Sequence, residues 1–385
     1  MSARRKLAVV FFLHFLLHVY IGLRLLPAIG GERPVLLALA VLLLLATLLL
    51  APVGLMSSSL GRGRSERLAW FGLLAMGLFS SLFVLTFLRD LVLVAALPAA
   101  WLAGFDDAGL ARLSGAAVPL LALGVTFTGF VNARRVARVV KVDVPIAGLP
   151  APLHGYSIAQ ISDIHVGPTI KRAYLGAIVN RVNALRADAI AVTGDLVDGS
   201  VGRLALHTEP LGRLAAPDGV FFVTGNHEYY SGAEEWIAEV RRLGLTVLLN
   251  GHVLRERGGA SLVIAGVTDY SAHHFNPAHR SDPRGALAGA PVDAAVKILL
   301  AHQPRSAAAA VEAGFDLQLS GHTHGGQFFP WNLFVPLQQP FVAGLHRVKR
   351  LWVYTSRGTG YWGPPKRFGA PSEITLVRLV PAQAS

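Results

Sequence analysis

The sequence predicts an N-terminal bundle of four membrane-spanning α-helices, at residues 1–138, followed by an α/β domain at residues 139–385. Hydrophobic residues make up 53% of the chain and charged residues only 15%, which is too apolar for an ordinary soluble protein. The long apolar segments all lie before residue 138, whereas short apolar runs alternate with helix-like stretches from residue 148 onward. These two observations separate a membrane part from a second part in which chemistry is expected.

Four segments are long enough to cross a hydrocarbon core of about 30 Å as helices. They cover about 7–29, 35–56, 69–88 and 113–131. A shorter segment, 91–105, contains Pro98, so we interpret it as a continuation of the third span or an interfacial segment.

The distribution of charge predicts the orientation of these spans. Of the net charge of +12, most comes from residues 1–138, which hold 13 Lys and Arg against 5 Asp and Glu. The cations cluster beside the spans: Arg4, Arg5 and Lys6; Arg62, Arg64 and Arg67; Arg134, Arg135, Arg138 and Lys141. The positive-inside rule therefore predicts a multi-pass protein of the cell (inner) membrane with both termini and the α/β domain on the cytoplasmic side. No aromatic-plus-basic repeat indicates nucleic-acid binding.

The absence of cysteine narrows the chemistry. It excludes disulfides, thiolate metal sites and cysteine nucleophiles, so any metal must be bound through nitrogen and oxygen.

The second part has the rhythm of an α/β domain. Its short apolar runs, taken as strands, are 157–162, 189–193, 219–224, 246–250, 262–267, 297–301, 316–320, 351–356 and 373–379. Helical apolar spacing occurs in "RAYLGAIVNRVNAL" and in "GAEEWIAEVRRLG", for which Ser231 is the expected N-cap, and Gly314 is the expected end of a third helix.

Polar residues of the kinds that bind metals follow five of these runs. They are Asp163 and His165, Asp195 and Asp198, Asn226 with His227 and Glu228, His302, and finally His322 and His324 in "SGHTHGGQ". Open α/β sheets place their sites at the carboxyl ends of strands, so we expect these side chains to meet. Carboxylate, amide and imidazole donors suit divalent first-row metals, and the set is too large for one ion. Asp195 could bridge a pair of cations about 3.5–4 Å apart, which makes a two-metal site the working hypothesis.

The ordered motifs "SDIHVG", "GDLVDG", "GNHEYY", "LLAHQP" and "SGHTHGGQ" resemble those of the calcineurin-like metallophosphoesterase superfamily. With the ending "SRGTGYWGPPKRFGAPSEITL", they are most similar to its membrane-associated bacterial branch, which includes YkuE-type and UDP-2,3-diacylglucosamine hydrolase-like phosphoesterases. The resemblance covers roughly residues 150–380 and not the four spans. It implies an α/β/β/α sandwich and a metal-dependent phosphoric ester hydrolase, that is, a phosphatase or phosphodiesterase.

The resemblance also implies roles for individual residues. Metal ligands would be Asp163, His165, Asp195 and His324 for one ion, and Asp195, Asn226, His302 and His322 for the other. His227 would protonate the leaving oxygen or stabilise developing charge, and a hydroxide held between the metals would be the nucleophile. Asp198 and Glu228 would orient ligands. The ions would be Mn, Fe, Zn, Co or Ni, and the resemblance implies no organic cofactor.

The segment "FFPWNLFVPLQQPFVAGL", 328–345, bears on the substrate because it is apolar and directly follows two predicted ligands. It is either a lip that lies against lipid and admits a lipid-linked phosphate or pyrophosphate, or a loop buried under the sheet. The favoured partners are thus the lipid bilayer and a phosphate ester. Two alternatives stay open, a tethered phosphatase or phosphodiesterase for soluble nucleotides or phosphoproteins, and a non-enzymatic membrane sensor. The sequence leaves oligomeric state open.

Overall fold

The structure is a computed structural model that describes residues 3–30, 33–56, 64–103 and 106–382. Arg62, one of the cations used to orient the spans, lies outside the described residues. The described residues belong to two compact units, one within Met1–Val131 together with Gly363–Lys366, and the other Asn132–Trp362 together with Arg367–Ser385. The predicted division into domains at residues 138 and 139 stays a prediction.

Long apolar helices account for the N-terminal region. Helices α1 (Ala3–Ile29), α2 (Pro34–Met56), α3 (Arg64–Ala103) and α4 (Asp107–Arg134) are each long and apolar enough to cross a membrane, and they are the four such helices among the described residues. Helix α3 continues through Pro98, so the short segment at 91–105 extends the third helix as far as Ala103.

These helices pack closely through apolar and small residues. Ile21 and Leu25 of α1 lie in one buried cluster with Leu82 of α3 and Ala122 of α4. Helices α2 and α3 meet at two glycines, Gly54 and Gly72, where a Cβ added to the second would lie 2.2 Å from the backbone nitrogen of the first. Such small residues allow helix backbones to approach without a side chain between them.

The second unit is built from two six-stranded mixed sheets. Its strands are β1 (Arg138–Ile146), β2 (Ser157–Ile161), β3 (Ala189–Thr193), β4 (Val220–Val223), β5 (Thr246–Val247), β6 (Gly251–Arg257), β7 (Ala260–Gly266), β8 (Val296–Leu300), β9 (Leu317–Ser320), β10 (Gly344–Val348), β11 (Leu351–Thr355) and β12 (Glu373–Pro381). The first sheet has the order β1-β12-β2-β3-β4-β5, and the second has the order β10-β11-β9-β8-β7-β6.

Helices cover the outer faces of this pair of sheets. They are α5 (Arg172–Asn183), α6 (Val201–Thr208), α7 (Asn226–Ser231), α8 (Ala233–Arg242) and α9 (Ala307–Ala313). One apolar core joins the first sheet to α5, α6 and α8, a second lies between the sheets, and a third joins the second sheet to α9. The four layers confirm the predicted α/β/β/α sandwich.

The nine apolar runs all contain strands, but three further strands were missed. These are β1, β6 and β10, and each lies at an edge of its sheet. Charged and polar residues interrupt the apolar residues of these strands, as in "GHVLRER", so a search for apolar runs passes over them.

Two predicted helix ends had different outcomes. Gly314 ends α9 in the left-handed conformation at φ 90°, as expected. The expected N-cap at Ser231 is wrong because Ser231 is the last residue of α7, and Gly232 at φ 98° separates that helix from α8.

Candidate dinuclear metal site

The predicted ligands follow five parallel strand ends. Asp163 and His165 come after β2, Asp195 and Asp198 after β3, and Asn226 and His227 after β4. In the second sheet, His302 follows β8, and His322 and His324 follow β9. Because β2, β3 and β4 are parallel neighbours, as are β8 and β9, their carboxyl ends converge.

A first group of donors, called here the first nest, consists of Asp163, His165 and His324. Their ligand atoms lie within 4.8 Å of one another. Nε2 of His165 is 3.0 Å from Nε2 of His324, and the latter is 3.5 Å from Oδ1 of Asp163. Ligands about 2.1 Å from one ion, at angles of about 90–110°, are separated by about 3–3.4 Å, so this spacing fits donors around one cation.

The second nest consists of Asp195, His302 and His322. Nε2 of His302 lies 3.1 Å from Oδ2 of Asp195 and 3.2 Å from Nδ1 of His322. Nδ1 of His302 donates a hydrogen bond to the carbonyl oxygen of Thr193 at 2.8 Å, so the ring proton lies on Nδ1. The lone pair of Nε2 is then available to bind a metal ion.

Asp195 connects the two nests. Its Oδ2 is 3.1 Å from Nε2 of His302 and 3.9 Å from Nε2 of His165. Its other oxygen, Oδ1, accepts a hydrogen bond from the backbone N–H of His227 at 2.9 Å, which fixes the orientation of the carboxylate. One oxygen atom is therefore positioned toward both sets of donors.

Two buried oxygens of the predicted ligand set lack a hydrogen-bond partner among the described residues. They are Oδ2 of Asp163 and Oδ1 of Asn226. Asn226 lines the same cavity as Asp195 and His322. Buried polar atoms are normally paired, so unpaired acceptors beside imidazole nitrogens fit residues that hold cations. The donor set thus suits divalent metal ions.

The backbone of the site is unusual. Asp163, His165, Asp195, His322 and His324 all have positive φ, between 51° and 72°. Non-glycine residues seldom adopt this conformation, and when they do they cluster at functional sites. The turns after β2, β3 and β9 thus direct ligands inward at a cost in local backbone energy.

Glycines make room for the two ligand carboxylates. A Cβ added to Gly321 would lie 2.2 Å from Oδ2 of Asp163, and one added to Gly225 would lie 2.2 Å from Oδ1 of Asp195. Both positions therefore require glycine because the carboxylate of a predicted metal ligand occupies the space of a side chain.

His227 lies beside the nests in a strongly acidic setting. Its Nδ1 is 2.6 Å from Oδ1 of Asp198, and its Nε2 is 4.0 Å from Oδ2 of Asp195. Burial lowers the pKa of His227, but the carboxylates of Asp195 and Asp198 outweigh burial and raise it to about 9. The imidazole is thus charged at neutral pH and has a proton to donate.

The carboxylate of Asp198 contacts the imidazoles of two histidines. Besides His227, its Oδ1 contacts Nδ1 of His165 at 3.1 Å. Burial raises the pKa of Asp198, yet the two histidines hold it well below its usual range. Asp198 orients one predicted ligand and one predicted proton donor, in agreement with the orienting role expected for it.

Glu228 clamps the backbone around Asp195. Its carboxylate accepts hydrogen bonds from the N–H groups of Gly225 at 2.6 Å, Leu196 at 2.8 Å and Asp195 at 3.0 Å. Burial, followed by the nearby charge of Asp195, raises the pKa of Glu228 to about 7. Glu228 therefore holds the turns after β3 and β4 together.

Sequence reasoning missed a buried arginine beside the first nest. Arg367 donates to the carbonyl oxygen of His324 at 2.8 Å and to that of Arg357 at 2.7 Å, and its NH2 lies 3.0 Å from Nδ1 of His324. Burial lowers the pKa of Arg367 to about 10. The ending "SRGTGYWGPPKRFGAPSEITL" contains Arg367, but it does not indicate this contact because the histidine lies 43 residues away.

Aromatic side chains form the rim above the predicted ligands. A cavity of about 400 Å³ is lined by Asp195, Asn226, His322, Tyr230, Val335 and Trp362. The rings of Tyr230 and Trp362 lie 5.2 Å and 5.6 Å from that of His227. Both are more than half exposed. Tyr230 therefore lies at the rim of this cavity.

The segment 328–345, whose burial the sequence left open, contains exposed apolar side chains between the buried residues Phe328 and Gln339. The apolar lip, defined as Phe329, Trp331, Leu333, Phe334 and Leu337, exposes between 42% and 80% of each side chain. These five side chains are therefore not packed under a sheet. A contiguous run of large apolar groups facing outward is uncommon and marks an interaction site.

Comparison with known proteins identifies the family of this site. A family model described as calcineurin-like phosphoesterase matches residues 156–326. A transmembrane protein with metallophosphoesterase domain from Danio rerio is 41% identical over 259 residues, which cover 65% of this chain and 59% of that protein. An uncharacterized metallophosphoesterase from Helicobacter pylori is 36% identical over 275 residues, 68% of this chain and 69% of that protein. YkuE of Bacillus subtilis, also named an uncharacterized metallophosphoesterase, is 30% identical over 239 residues, 60% of this chain and 81% of that protein.

The chain spans less than two thirds of the length of the Danio rerio relative. The resemblance inferred from the motifs is confirmed, including its similarity to YkuE.

Proposed function

Because the chain belongs to the calcineurin-like metallophosphoesterase family, we propose that it is a membrane-anchored hydrolase of phosphate esters or pyrophosphates with a dinuclear metal site. The observation that carries the proposal is the position of Oδ2 of Asp195, within 4 Å of an imidazole in each nest. Two divalent cations bound in the nests would lower the pKa of a water held as nucleophile and would polarise the phosphoryl oxygens.

His227 is the proposed proton donor to the leaving oxygen. Its Nδ1 is held by Asp198, so Nε2 is directed to the cavity side where Asp195 lies. A charged imidazole there stabilises negative charge as the ester bond breaks and then transfers its proton to the departing oxygen. Asp198 keeps the ring oriented throughout, and no serine or cysteine nucleophile is needed.

The favoured substrate is a lipid-linked phosphate or pyrophosphate. The apolar lip supports this class because exposed Phe, Trp and Leu side chains favour an acyl or isoprenyl chain over water. Val335 lies within the lip segment and also lines the metal-side cavity, so the same segment borders the predicted reaction site. An amphiphile could thus place its phosphate at the nests and its apolar part on the lip.

The orientation in the membrane is part of the proposal, with the hydrolase domain on the cytoplasmic side. The chain contains no cysteine, so a single cysteine replacing the 91%-exposed Val292 can be labelled alone. In intact cells we expect a membrane-impermeant maleimide to label this variant only after the membrane is opened. Labelling of closed cells would place the domain on the opposite side.

The activity is tested by hydrolysis assays on the full chain in detergent with added Mn²⁺. A generic monoester, a generic diester and a lipid pyrophosphate are compared, with Asp195→Asn as the inactive control. The proposal requires a rate that depends on both metal and Asp195, highest on the lipid compound. Equal or higher rates on soluble esters would favour the tethered enzyme for soluble substrates. Two bound metal equivalents without turnover of any compound would favour the non-enzymatic sensor.

A further inference from the structure

A second cavity, of about 290 Å³, borders the histidine turn at Gly325. Its lining includes Phe329, Asn332, Val342, Ala343, Arg357 and Ala370, and none of the predicted metal ligands. The hydroxyl of Thr323, a residue of the metal-side cavity, donates to the carbonyl oxygen of Val342 at 2.6 Å. The two cavities share no lining residue, so the second one needs its own explanation.

The second cavity is lined by one arginine, Arg357, whose guanidinium group can bind a further ligand. NH1 of Arg357 donates to Oε2 of Glu373 at 2.9 Å, and the backbone N–H of Arg357 donates to Oε1 of the same carboxylate at 3.1 Å. A guanidinium has five N–H donors, so Nε and NH2 can bind a further anion in the two-pronged manner that suits phosphate. The side chain is 35% exposed and therefore accessible to a ligand.

The same cavity contains an unpaired acceptor. Oδ1 of Asn332 is buried and has no hydrogen-bond partner among the described residues. A buried acceptor left without a donor is costly, so a ligand hydroxyl that donates to it would be stabilised. The cavity thus offers donors at one point and an acceptor at another.

A second guanidinium group offsets the negative charge near the second cavity. Glu373 is balanced by Arg357, and the buried guanidinium of Arg367 lies close enough to Arg357 for the two cations to repel each other. Arg367 makes its hydrogen bonds to carbonyl oxygens and to His324, with no carboxylate among them. Arg357 and Arg367 together therefore offset the two carboxylates that act on Arg367, those of Asp163 and Glu373. The attraction for an anion comes from the remaining N–H donors of Arg357.

The mouth of the cavity is apolar. Phe329, which lines the cavity, belongs to the apolar lip and is 48% exposed. Four apolar helices commit the chain to a bilayer, so amphiphiles are available at high local concentration. A charged pocket with an exposed apolar border has the chemistry of a phospholipid headgroup with its acyl chains.

We propose that the second cavity is a non-catalytic binding site for an anionic membrane phospholipid whose headgroup carries a hydroxyl. The phosphate binds Nε and NH2 of Arg357, the hydroxyl donates to Oδ1 of Asn332, and the acyl chains lie along the lip. Binding at this site does not depend on hydrolysis, so it can be tested separately from the proposed activity.

Phosphatidylglycerol is the probe, since it combines a phosphodiester with a headgroup hydroxyl. Full-length protein in detergent is titrated with this lipid, and bound lipid is counted by native mass spectrometry, with phosphatidylcholine as the zwitterionic comparison. We expect the unaltered chain to bind one phosphatidylglycerol. The affinity of Arg357→Gln for this lipid should be about tenfold lower, because a hydrogen bond to a charged group is lost. Arg347→Gln, an exposed arginine changed in the same way, is the matched control and should bind normally.

Further variants separate loss of the ligand from loss of the fold. Arg357→Gln also removes a contact to buried Glu373, whereas Asn332→Leu removes an acceptor without a protein partner and should still weaken binding several-fold. Ala343→Leu narrows the cavity and should act in the same direction. The proposal fails if the variants at Arg357, Asn332 and Ala343 bind like Arg347→Gln, or if phosphatidylcholine binds equally well. Tight binding of soluble glycerol 3-phosphate would assign the site to a soluble phosphate ester and contradict the proposal that its ligand is a lipid.

Discussion

The predicted metal ligands form the floor of the metal-side cavity, and the exposed side chains above them form its rim. The floor and the rim differ in burial and in backbone conformation. The floor is made of side chains that are almost fully buried, such as Asp163, Asp195 and His302, and several floor residues have left-handed backbone. The rim includes exposed aromatic side chains, with Tyr230 61% and Trp362 54% exposed. A rigid, buried floor suits a reaction whose geometry is fixed, whereas an exposed rim can change without unfolding the domain.

The difference separates reaction from substrate choice. Changes in the floor should remove turnover of every ester alike, because all substrates place the same phosphoryl group there. Changes in the rim should alter the ranking of substrates and leave the floor intact. Each variant below is directed at one side of this division.

The largest effect is expected from Asp195→Asn in the floor. The amide has no negative charge, and its NH2 group must replace either Oδ2, which lies near both nests, or Oδ1, which accepts from the N–H of His227. Turnover of all substrates should fall at least about a thousandfold, and bound metal should fall below two equivalents. Elemental analysis with parallel assays measures both. Asp143→Asn, at an exposed aspartate paired with Arg378, is the control and should keep metal and rate. Two retained metals in Asp195→Asn would contradict the bridging role.

His227→Asn tests whether the floor contains a proton donor distinct from the metal ligands. Turnover should fall by about 10²- to 10⁴-fold while metal content stays at two equivalents. The imidazole of His227 also lies within 4.8 Å of ligand atoms of His165 and Asp198, so a metal there is geometrically conceivable. A loss of metal in His227→Asn would assign this histidine to the metal site and remove it from the proton-transfer step.

The pH dependence of the floor follows from the raised pKa of His227. Carboxylates raise that pKa to about 9, so the donor is protonated below this value and loses its proton as the pH rises through it. Bound cations oppose protonation, which places the alkaline decline of turnover at or below about pH 9. Asp198→Asn removes a charge 2.6 Å from the imidazole and should move the decline about one to three units toward lower pH. A decline that stays in place would show that another group titrates.

Prediction from sequence succeeded for the floor and failed for much of the rim, for a physical reason. Each floor ligand lies in a short motif directly after a strand, so local residues determine both its chemistry and its position. Strands β1, β6 and β10 were missed because charged or polar residues interrupt their apolar residues, as in "RVVKVDVPI" and "GHVLRER". Arg367 and Trp362 reach the site from the C-terminal segment, far in sequence from His324 and His227. No local pattern records a contact that depends on how both sheets pack.

A smaller effect is expected from Trp362→Leu at the rim. The indole ring lies 5.6 Å from the imidazole of His227 and lines the cavity, so its loss removes contact area for the substrate and leaves the nests unaltered. KM for a bulky ester should rise about tenfold, with kcat and metal content nearly unchanged. A fall in kcat with constant KM would instead indicate that Trp362 positions His227.

The smallest effect on chemistry, and the sharpest on substrate choice, is expected from the double variant Phe329→Ser and Trp331→Ser in the apolar lip. Loss of two large apolar side chains should weaken contact with an acyl or isoprenyl chain by about 3 kcal/mol at most, which corresponds to about a hundredfold in rate on lipid substrate. The rate on a small soluble ester should change less than about twofold because that substrate does not reach the lip. The matched control, Leu206→Ser with Val292→Ser, alters two apolar residues of equal or greater exposure elsewhere on the domain and should leave both rates unchanged. Equal losses on lipid and soluble esters would mean that the lip supports the floor instead of selecting the substrate, and the division between floor and rim would then fail at this segment.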